Sequence, residues 1–188
     1  MVKKINKLSG IIKTKEGVIN YDETLFQQRK LFLYDIVSGL MVEELSKQLL
    51  VLESINHNPI ELYINSPGGS VDDGFAFIDL IKNSKCKIIT IAQGCVASMA
   101  TLIFITGKHR KSYKSSSLML HDMASGMSDY SAKMEARMDF QKKQWKQLSD
   151  YIRDNTKLTD KDIEYMRSGE LWFTATEAKE KGLVDEII

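Results

Sequence analysis

The sequence predicts an α/β protein built from stacked βαβ units, with one long helix that protrudes from them. Short apolar segments typical of buried strands alternate with segments whose apolar residues recur at helical spacing. Only two prolines, Pro59 and Pro67, occur in the 188 residues, so most of the chain can form regular structure. Strands that alternate with helices connect through right-handed crossovers, which predicts a layered architecture.

The chain divides into two parts by composition. Residues 1–28 are polar and weakly patterned, which predicts an N-terminal arm or extension. Residues 29–188 contain no repeat, low-complexity tract or linker, so we expect one domain with a single sizeable core.

The first half of this domain alternates strands and helices. Strands are predicted over 31–34, 60–64 and 87–92. A helix follows the first strand, with Ser38 as its candidate N-cap. The apolar positions of the two helices are Val42, Leu45, Leu49 and Leu52 in the first, and Phe75, Ile78 and Ile81 in the second.

The second half begins with a buried helix over 98–105 that ends near Gly107, and a strand over 118–120 follows. A long polar helix is predicted over about 131–153. Two short helices close the chain, the first capped by Thr159 and the second opened by the Thr174–Glu177 capping box and ended by Gly182.

The long helix has an unusually thin apolar stripe, which consists of Met134, Met138, Trp145, Leu148 and Ile152. A stripe that narrow buries little against a single core. The helix therefore fits an arm that packs against another subunit, and it equally fits a solvated surface helix.

Charge and cysteine content exclude several classes of function. The 26 basic residues nearly balance the 25 acidic ones, which argues against a nucleic-acid partner. Cys86 and Cys95 form neither a disulfide framework nor a metal motif, so a reducing interior is expected. Neither a secretory leader nor an apolar run long enough for a bilayer is visible, which predicts a cytoplasmic protein without a membrane partner.

Ser98 is the candidate nucleophile because it stands between a predicted strand and a buried helix. The free amides at a helix start, such as that of Met99, favour negative charge there. Serine is also a common helix N-cap, which is the simpler interpretation. Val96 and Ala100 replace the glycines of a Gly-x-Ser-x-Gly elbow, so the α/β-hydrolase arrangement is disfavoured.

Two further segments supply complementary chemistry. The Pro67-Gly68-Gly69 turn at a strand end allows a close approach of backbone amides to a ligand, although a simple tight turn explains it too. His121 closes the strand 118–120 and is a candidate base. A nucleophile, backbone donors and a base are the parts that acyl transfer needs. The candidate acids that could orient the imidazole are Asp160, Asp162, Glu164 and Glu170.

Taken in order, these segments resemble the Clp protease proteolytic subunit, a ClpP/crotonase-like fold, over about residues 29–188. The matching motifs are LYINSPGG at 62–69, ASMA at 97–100, LMLH at 118–121, TATEA at 174–178 and GLVD at 182–185. The spacing of 23 residues between Ser98 and His121 also suits the family.

The resemblance implies a serine endopeptidase that hydrolyses unfolded polypeptides through an acyl-enzyme on Ser98, with His121 as base. It assigns the oxyanion hole to the amides of Gly69 and Met99. Substrate would lie extended beside Gly68, Gly69, Ser70 and Val71. No cofactor or metal is implied for the chain itself.

The resemblance further implies a homo-oligomer of two stacked heptameric rings joined through the long helix. A ring-shaped AAA+ unfoldase of the Clp type would consume the ATP and feed unfolded chains into the barrel. The arrangement would serve ATP-dependent protein quality control.

The chain departs from the family pattern at several positions. Glu170 falls where the family has its catalytic aspartate, and Asp162 is the second candidate. Asp122-Met123 stands where Gln-Pro is usual. In the family's ATPase-docking region Glu61 and Asn83 replace aromatics, whereas Tyr63 is retained.

Two rival interpretations remain. A crotonase-type acyl-CoA hydratase or isomerase shares the fold and the backbone donors, but it usually works through carboxylates. A catalytically inactive ring subunit is the other rival, although such relatives tend to lose the serine or the histidine. Both residues are present here.

Overall fold

The computed structural model describes residues 11–14, 17–122 and 131–188, with side chains at 20–122 and 135–188. Met123 and the side chain of Met134, both used above, fall outside these ranges. In chain order the elements are β1 (Ile11–Thr14), β2 (Gly17–Asn20), α1 (Tyr21–Gln27), β3 (Lys30–Tyr34), α2 (Gly39–Ile55), β4 (Ile60–Ser66), α3 (Val71–Asn83), β5 (Ile88–Ala97), α4 (Met99–Ile105), β6 (His109–Ser112), β7 (Ser117–Leu120), α5 (Ser131–Asn155), α6 (Asp160–Tyr165), β8 (Leu171–Thr174), α7 (Ala175–Glu180) and β9 (Glu186–Ile187).

The predicted α/β class is confirmed, and the predicted strands and helices are present. The largest difference in length is in β5, which was predicted to end at residue 92 and runs to Ala97. Ser38 caps α2 by accepting a hydrogen bond from the Met41 amide. The described part of the chain also contains elements that the sequence pattern did not predict. These are β1 and β2, which form an antiparallel hairpin, together with α1, β6, β8 and β9.

The main sheet is mostly parallel, in the order β3-β4-β5-β6-β9. Strand β5 changes partner along its length. Residues 89–92 pair with β6, and residues 95–97 pair with β7, which in turn pairs antiparallel with β8. The change occurs around Gly94, whose φ of 61° is in the left-handed region. Because of it, the end of β5 runs beside the strand that carries His121.

The core lies between this sheet and the helices α2, α3 and α4. All seven residues of α4 are buried, because the helix contacts both α3 and the sheet. Among the largest fully buried side chains are Phe77 on α3 and Phe104 on α4. Within the described ranges, no helix combines the length and the apolar character that a bilayer-spanning segment requires.

Helix α5 packs against the core through its C-terminal half. Leu148, Tyr151 and Ile152 are buried there, whereas every side chain from 135 to 140 is exposed. The exposed side chains include Met138 at 47% and Phe140 at 58%. Of the predicted stripe, Trp145, Leu148 and Ile152 therefore pack against the core of the subunit, whereas Met138 does not.

His109 lies at the start of β6, a strand that the sequence pattern did not predict. Its ring Nε2 is 2.8 Å from Glu186 Oε2, and Lys111 also approaches that carboxylate at 3.4 Å. Strand β6 was missed because its HRKS sequence is polar. Its backbone nevertheless completes the sheet between β5 and β9.

Candidate active site

Ser98 occupies a strained position between β5 and α4. Its φ of 56° and ψ of −128° are unusual for a residue with a side chain, and such conformations typically cost about 1–3 kcal/mol. Its hydroxyl caps no amide at the start of α4. The N-cap interpretation therefore does not apply, and the side chain faces a cleft instead.

The imidazole of His121 lies directly against this hydroxyl. His121 Nε2 is 2.8 Å from Ser98 Oγ, a distance at which the hydroxyl can donate to the ring nitrogen. The parallel pairing of 95–97 with 117–119 holds the two side chains together, and the Ser98 amide donates to the Met119 carbonyl at 2.9 Å. A nucleophile and a base in hydrogen-bonding contact are the core of a serine hydrolase site.

Thr101 reinforces the joint between the two strands. Its buried hydroxyl is 2.8 Å from the carbonyl of Val96 on β5 and 2.8 Å from that of Met119 on β7. A hydroxyl has one proton, so it donates to one of the two carbonyls at a time. The sequence pattern did not predict this role, since a threonine in an apolar helix usually contributes only to core packing.

The Pro-Gly-Gly turn packs against Ser98 so closely that a side chain at Gly68 has no room. A Cβ at Gly68 would lie 2.7 Å from Ser98 Cβ and 2.6 Å from the Ala97 carbonyl oxygen. The φ of Gly68 is +91°, a conformation that favours glycine. The turn therefore fixes one wall of the site by backbone contact.

The neighbouring segment at Val37 determines which way the Gly69 amide faces. The Val37 amide donates to the Gly68 carbonyl, and the Ser70 amide donates to the Val37 carbonyl, each at 2.8 Å. In this parallel bridge the N–H of Gly69 faces away from Val37. Neither it nor the Met99 N–H donates a hydrogen bond to any acceptor among the residues that the structure describes.

A cleft of about 360 Å³ opens beside the pair. Its polar end contains Ser98, His121 and Asp122, and its walls are otherwise apolar. The apolar residues that line it are Ile36, Pro67, Val71, Met99, Leu102 and Leu148. Ile36 and Leu148 were not predicted to line the cleft, because they come from a loop and from α5, which are distant from Ser98 in the chain. Leu102 was not predicted either, although it follows Ser98 by one turn of α4.

Ser70, predicted to contact substrate, has its polar groups turned toward the protein. Its amide bonds Val37, its hydroxyl accepts from the Asp73 amide at 3.3 Å, and its carbonyl accepts from the Gly74 amide at 3.0 Å. Val71 begins α3 and lines the cleft.

Glu170 directly precedes β8 and bonds a residue other than His121. The β7–β8 pairing ends at Leu120 and Leu171, so Glu170 and His121 each lie one residue beyond its last pair. The Glu170 carboxylate accepts a hydrogen bond from the indole N–H of Trp172 at 2.8 Å. Among the residues that the structure describes, no hydrogen bond joins this carboxylate to the imidazole of His121.

Asp162, the second candidate acid, is engaged elsewhere. It forms a capping box with Thr159 and an ion pair with Lys181 at 2.9 Å. The Thr159 backbone amide, followed by the Lys181 ammonium, lowers the pKa of Asp162 below its ordinary value. Asp160 is likewise paired, with Arg153 at 2.9 Å.

An aromatic surface on β3 and β4 surrounds the retained Tyr63. The ring of Tyr63 stacks on Phe32 with centroids 5.3 Å apart, and its hydroxyl donates to Glu61 at 2.9 Å. Burial, reinforced by that carboxylate, raises the pKa of Tyr63 to about 12. Asn83 uses its amide to cap the Asp79 carbonyl in α3.

The chain is similar to known proteins over most of its length. The sequence model of the family described as Clp protease matches residues 13–188. The ATP-dependent Clp protease proteolytic subunit 2 of Treponema denticola is 28% identical over 97% of this chain and 95% of its own length. Subunit 1 of Corynebacterium jeikeium is 32% identical over 88% of this chain and 90% of its own.

The fold agrees with a solved structure as well. A mutant ClpP1 from Listeria monocytogenes superposes with a TM-score of 0.81 and 29% identity. The superposition covers 89% of this chain and 95% of that one. The family match begins at residue 13, further toward the N-terminus than the motifs alone indicated.

Proposed function

Because the chain belongs to the Clp protease family of serine peptidases, we propose that Ser98 is its nucleophile and His121 its general base. The observation that carries this assignment is the 2.8 Å contact between Ser98 Oγ and His121 Nε2. In the proposed reaction, Ser98 attacks the scissile carbonyl while His121 accepts its proton. His121 then passes that proton to the leaving amine, and water hydrolyses the acyl-enzyme with the same base.

The amides of Gly69 and Met99 form the oxyanion hole in this proposal. Both lie at the cleft, and the backbone bonds of Val37 leave the Gly69 N–H facing away from that segment. Loss of one such donor typically costs roughly 3–4 kcal/mol of transition-state stabilisation. Gly69 is exposed and offers an edge along which an extended peptide can add main-chain hydrogen bonds. Gly68 is buried, with its amide bonded to Ser66 Oγ and its carbonyl to the Val37 amide, so it shapes the substrate-binding edge from behind. Ser70 holds that edge in position, and Val71 contributes apolar contact.

Glu170 completes the triad by orienting the imidazole. Its position one residue beyond the Leu120–Leu171 pair supports the role, because a register continued by one residue would set it opposite His121. Directly opposed residues in an antiparallel pair have Cβ atoms about 4.5–5.5 Å apart. The carboxylate must leave Trp172 to reach the ring.

The assembly that the family relationship suggests is two stacked heptameric rings of this chain. The exposed first part of α5, with Met138 and Phe140, is the surface that a second ring would cover. The relatives are named as subunits of ATP-dependent proteases, so we place a Clp-type AAA+ unfoldase at the surface around Tyr63. The ATPase would consume ATP, and this chain would need no cofactor to hydrolyse unfolded polypeptides in the cytoplasm.

The assignment is tested by labelling with a fluorophosphonate. We expect modification of Ser98 in the wild-type protein, none in Ser98→Ala, and strongly slowed labelling in His121→Ala. A crotonase-type enzyme would leave Ser98 unmodified. An inactive ring subunit would hydrolyse a short fluorogenic peptide no faster than Ser98→Ala, and that result would refute the peptidase proposal. Native mass measured on the same sample tests the fourteen-subunit assembly.

A further inference from the structure

A side-chain hydrogen bond joins Trp172 to Glu170, the proposed acid of the triad. Trp172 is a large apolar residue that is 53% exposed, although it lies on a strand of the main sheet. Its indole N–H donates to Glu170 Oε2 at 2.8 Å. A hydrogen bond to a carboxylate is stronger than one between neutral groups. This bond therefore favours the Glu170 rotamer that reaches the indole over the other rotamers of that side chain.

The β7–β8 register leads from Trp172 toward the imidazole of His121. Met119 is directly opposite Trp172, and Leu120 is opposite Leu171 in the last pair of the two strands. A register continued by one residue would set Glu170 opposite His121, on the face that Trp172 shares, because residues two apart in an extended segment point to the same face. In that arrangement the carboxylate would have an indole N–H on its own segment and an imidazole on the facing one.

The backbone around this group is anchored, so the choice is made by side-chain rotation. The Asp122 amide donates to the Met166 carbonyl at 2.9 Å, which ties the segment after His121 to the end of α6. The Gly169 amide donates to the Tyr165 carbonyl at 3.0 Å and closes the turn before Glu170. Glu170 itself is exposed, so water can replace either partner when the carboxylate moves.

We propose that Trp172 is a positioning residue that holds Glu170 away from His121 and so keeps the Ser98–His121 pair without its carboxylate in the resting state. The inference rests on the proposed function, in which Glu170 orients His121. The side chain of Glu170 switches between the indole and the imidazole, and only the second state is fully active. The observed kcat is then the kcat of the active state multiplied by the fraction of molecules in that state.

The test is the exchange of Trp172 for phenylalanine, which keeps an aromatic ring and removes the N–H. We expect Trp172→Phe to raise kcat on a short peptide by about three- to tenfold with little change in KM, because the indole no longer competes. The matched control is Trp145→Phe, since Trp145 lies on α5 over Arg167, and we expect it to leave kcat unchanged. A general loosening of the fold would not raise kcat.

A second pair of variants separates failure of this inference from failure of the proposed function. Glu170→Gln should lower kcat, and adding Trp172→Phe to it should have no further effect, because the two residues act through one contact. If Glu170→Gln lowers kcat but Trp172→Phe does not raise it, the competition is refuted and the triad stands. If Glu170→Gln leaves kcat unchanged, both the triad role of Glu170 and the competition are wrong.

Fluorescence supplies a readout that does not depend on turnover. The chain has two tryptophans, so the Trp145→Phe protein reports Trp172 alone. Fluorophosphonate labelling of Ser98 should draw Glu170 toward His121 and shift the Trp172 emission, and the shift should vanish in the Glu170→Gln background. If labelling leaves the Trp172 emission unchanged in the Trp145→Phe protein that retains Glu170, the proposal is wrong.

Discussion

Substitution of Gly68 by alanine should damage the nucleophile through backbone packing alone. The added Cβ would meet the Ala97 carbonyl oxygen at 2.6 Å, Ser98 Cβ at 2.7 Å and the Met99 amide nitrogen at 2.9 Å. None of these atoms belongs to a flexible side-chain end. Relief therefore requires movement of the segment that contains the nucleophile and one oxyanion donor.

Two independent costs add up at this position. The left-handed φ of +91° costs about 1–2 kcal/mol for a residue with a Cβ. Overpacking against a rigid backbone costs a further ~1–3 kcal/mol. We therefore expect the free energy of unfolding to fall by about 2–5 kcal/mol. A displacement of Ser98 near 1 Å should lower kcat/KM by about 100-fold.

The matched control is Gly39→Ala at the start of α2. A Cβ there would be 3.5 Å from Asp73 Oδ1, an ordinary contact. We expect a change of less than about 1 kcal/mol and an unchanged rate. Denaturant unfolding at one fixed protein concentration and the rate of fluorophosphonate labelling measure the two effects. A Gly68→Ala protein that is labelled at the wild-type rate would show that the turn does not position Ser98.

Three further perturbations test the scaffold. Thr101→Val should lower the free energy of unfolding by about 1–3 kcal/mol, because two buried carbonyls lose their shared donor. Thr101→Ser keeps the hydroxyl and should therefore retain most of the wild-type stability. Equal unfolding curves for the valine and serine variants would contradict this. Arg29→Met should lower the free energy of unfolding by about 3 kcal/mol, because this residue is only 9% exposed and its guanidinium donates to the carbonyls of Leu52 and Asn58 around the end of α2. An unchanged melting curve would refute that role. Asp162 has a pKa lowered by the Thr159 amide and Lys181, so its contribution is complete above its ordinary value of 3.8 and disappears as the pH falls through the lower folded value. Asp162→Asn should therefore be less stable by about 1 kcal/mol at neutral pH, and the difference should disappear in acid titrations of unfolding; a difference that persists in acid would show that Asp162 does not act through its charge.

The nucleophile and base were predictable because local sequence places each at the end of an apolar strand. Ser98 follows a strand and precedes an entirely buried helix, and His121 closes an apolar triplet. What the pattern could not reveal is that β5 changes partner around Gly94, the feature that brings the two strand ends side by side. Partner choice within a sheet depends on long-range packing, which periodicity does not encode.

The acid was harder to predict for a different reason. Alignment of motifs placed Glu170 in the catalytic region, and in the structure it lies one residue before β8. Its hydrogen bond to Trp172 depends on the rotamer of the glutamate side chain, which has no sequence signature. Strand β6 was missed because its alternation is polar, although its backbone pairs on both sides.

The positive φ of Ser98 implies a trade-off between stability and reactivity in this chain. A glycine at this position would relieve the backbone strain and should raise the melting temperature, but it would remove the hydroxyl that we propose as the nucleophile. Selection for stability alone would therefore favour glycine at position 98. A serine in this strained conformation indicates a residue that is retained for its reactivity.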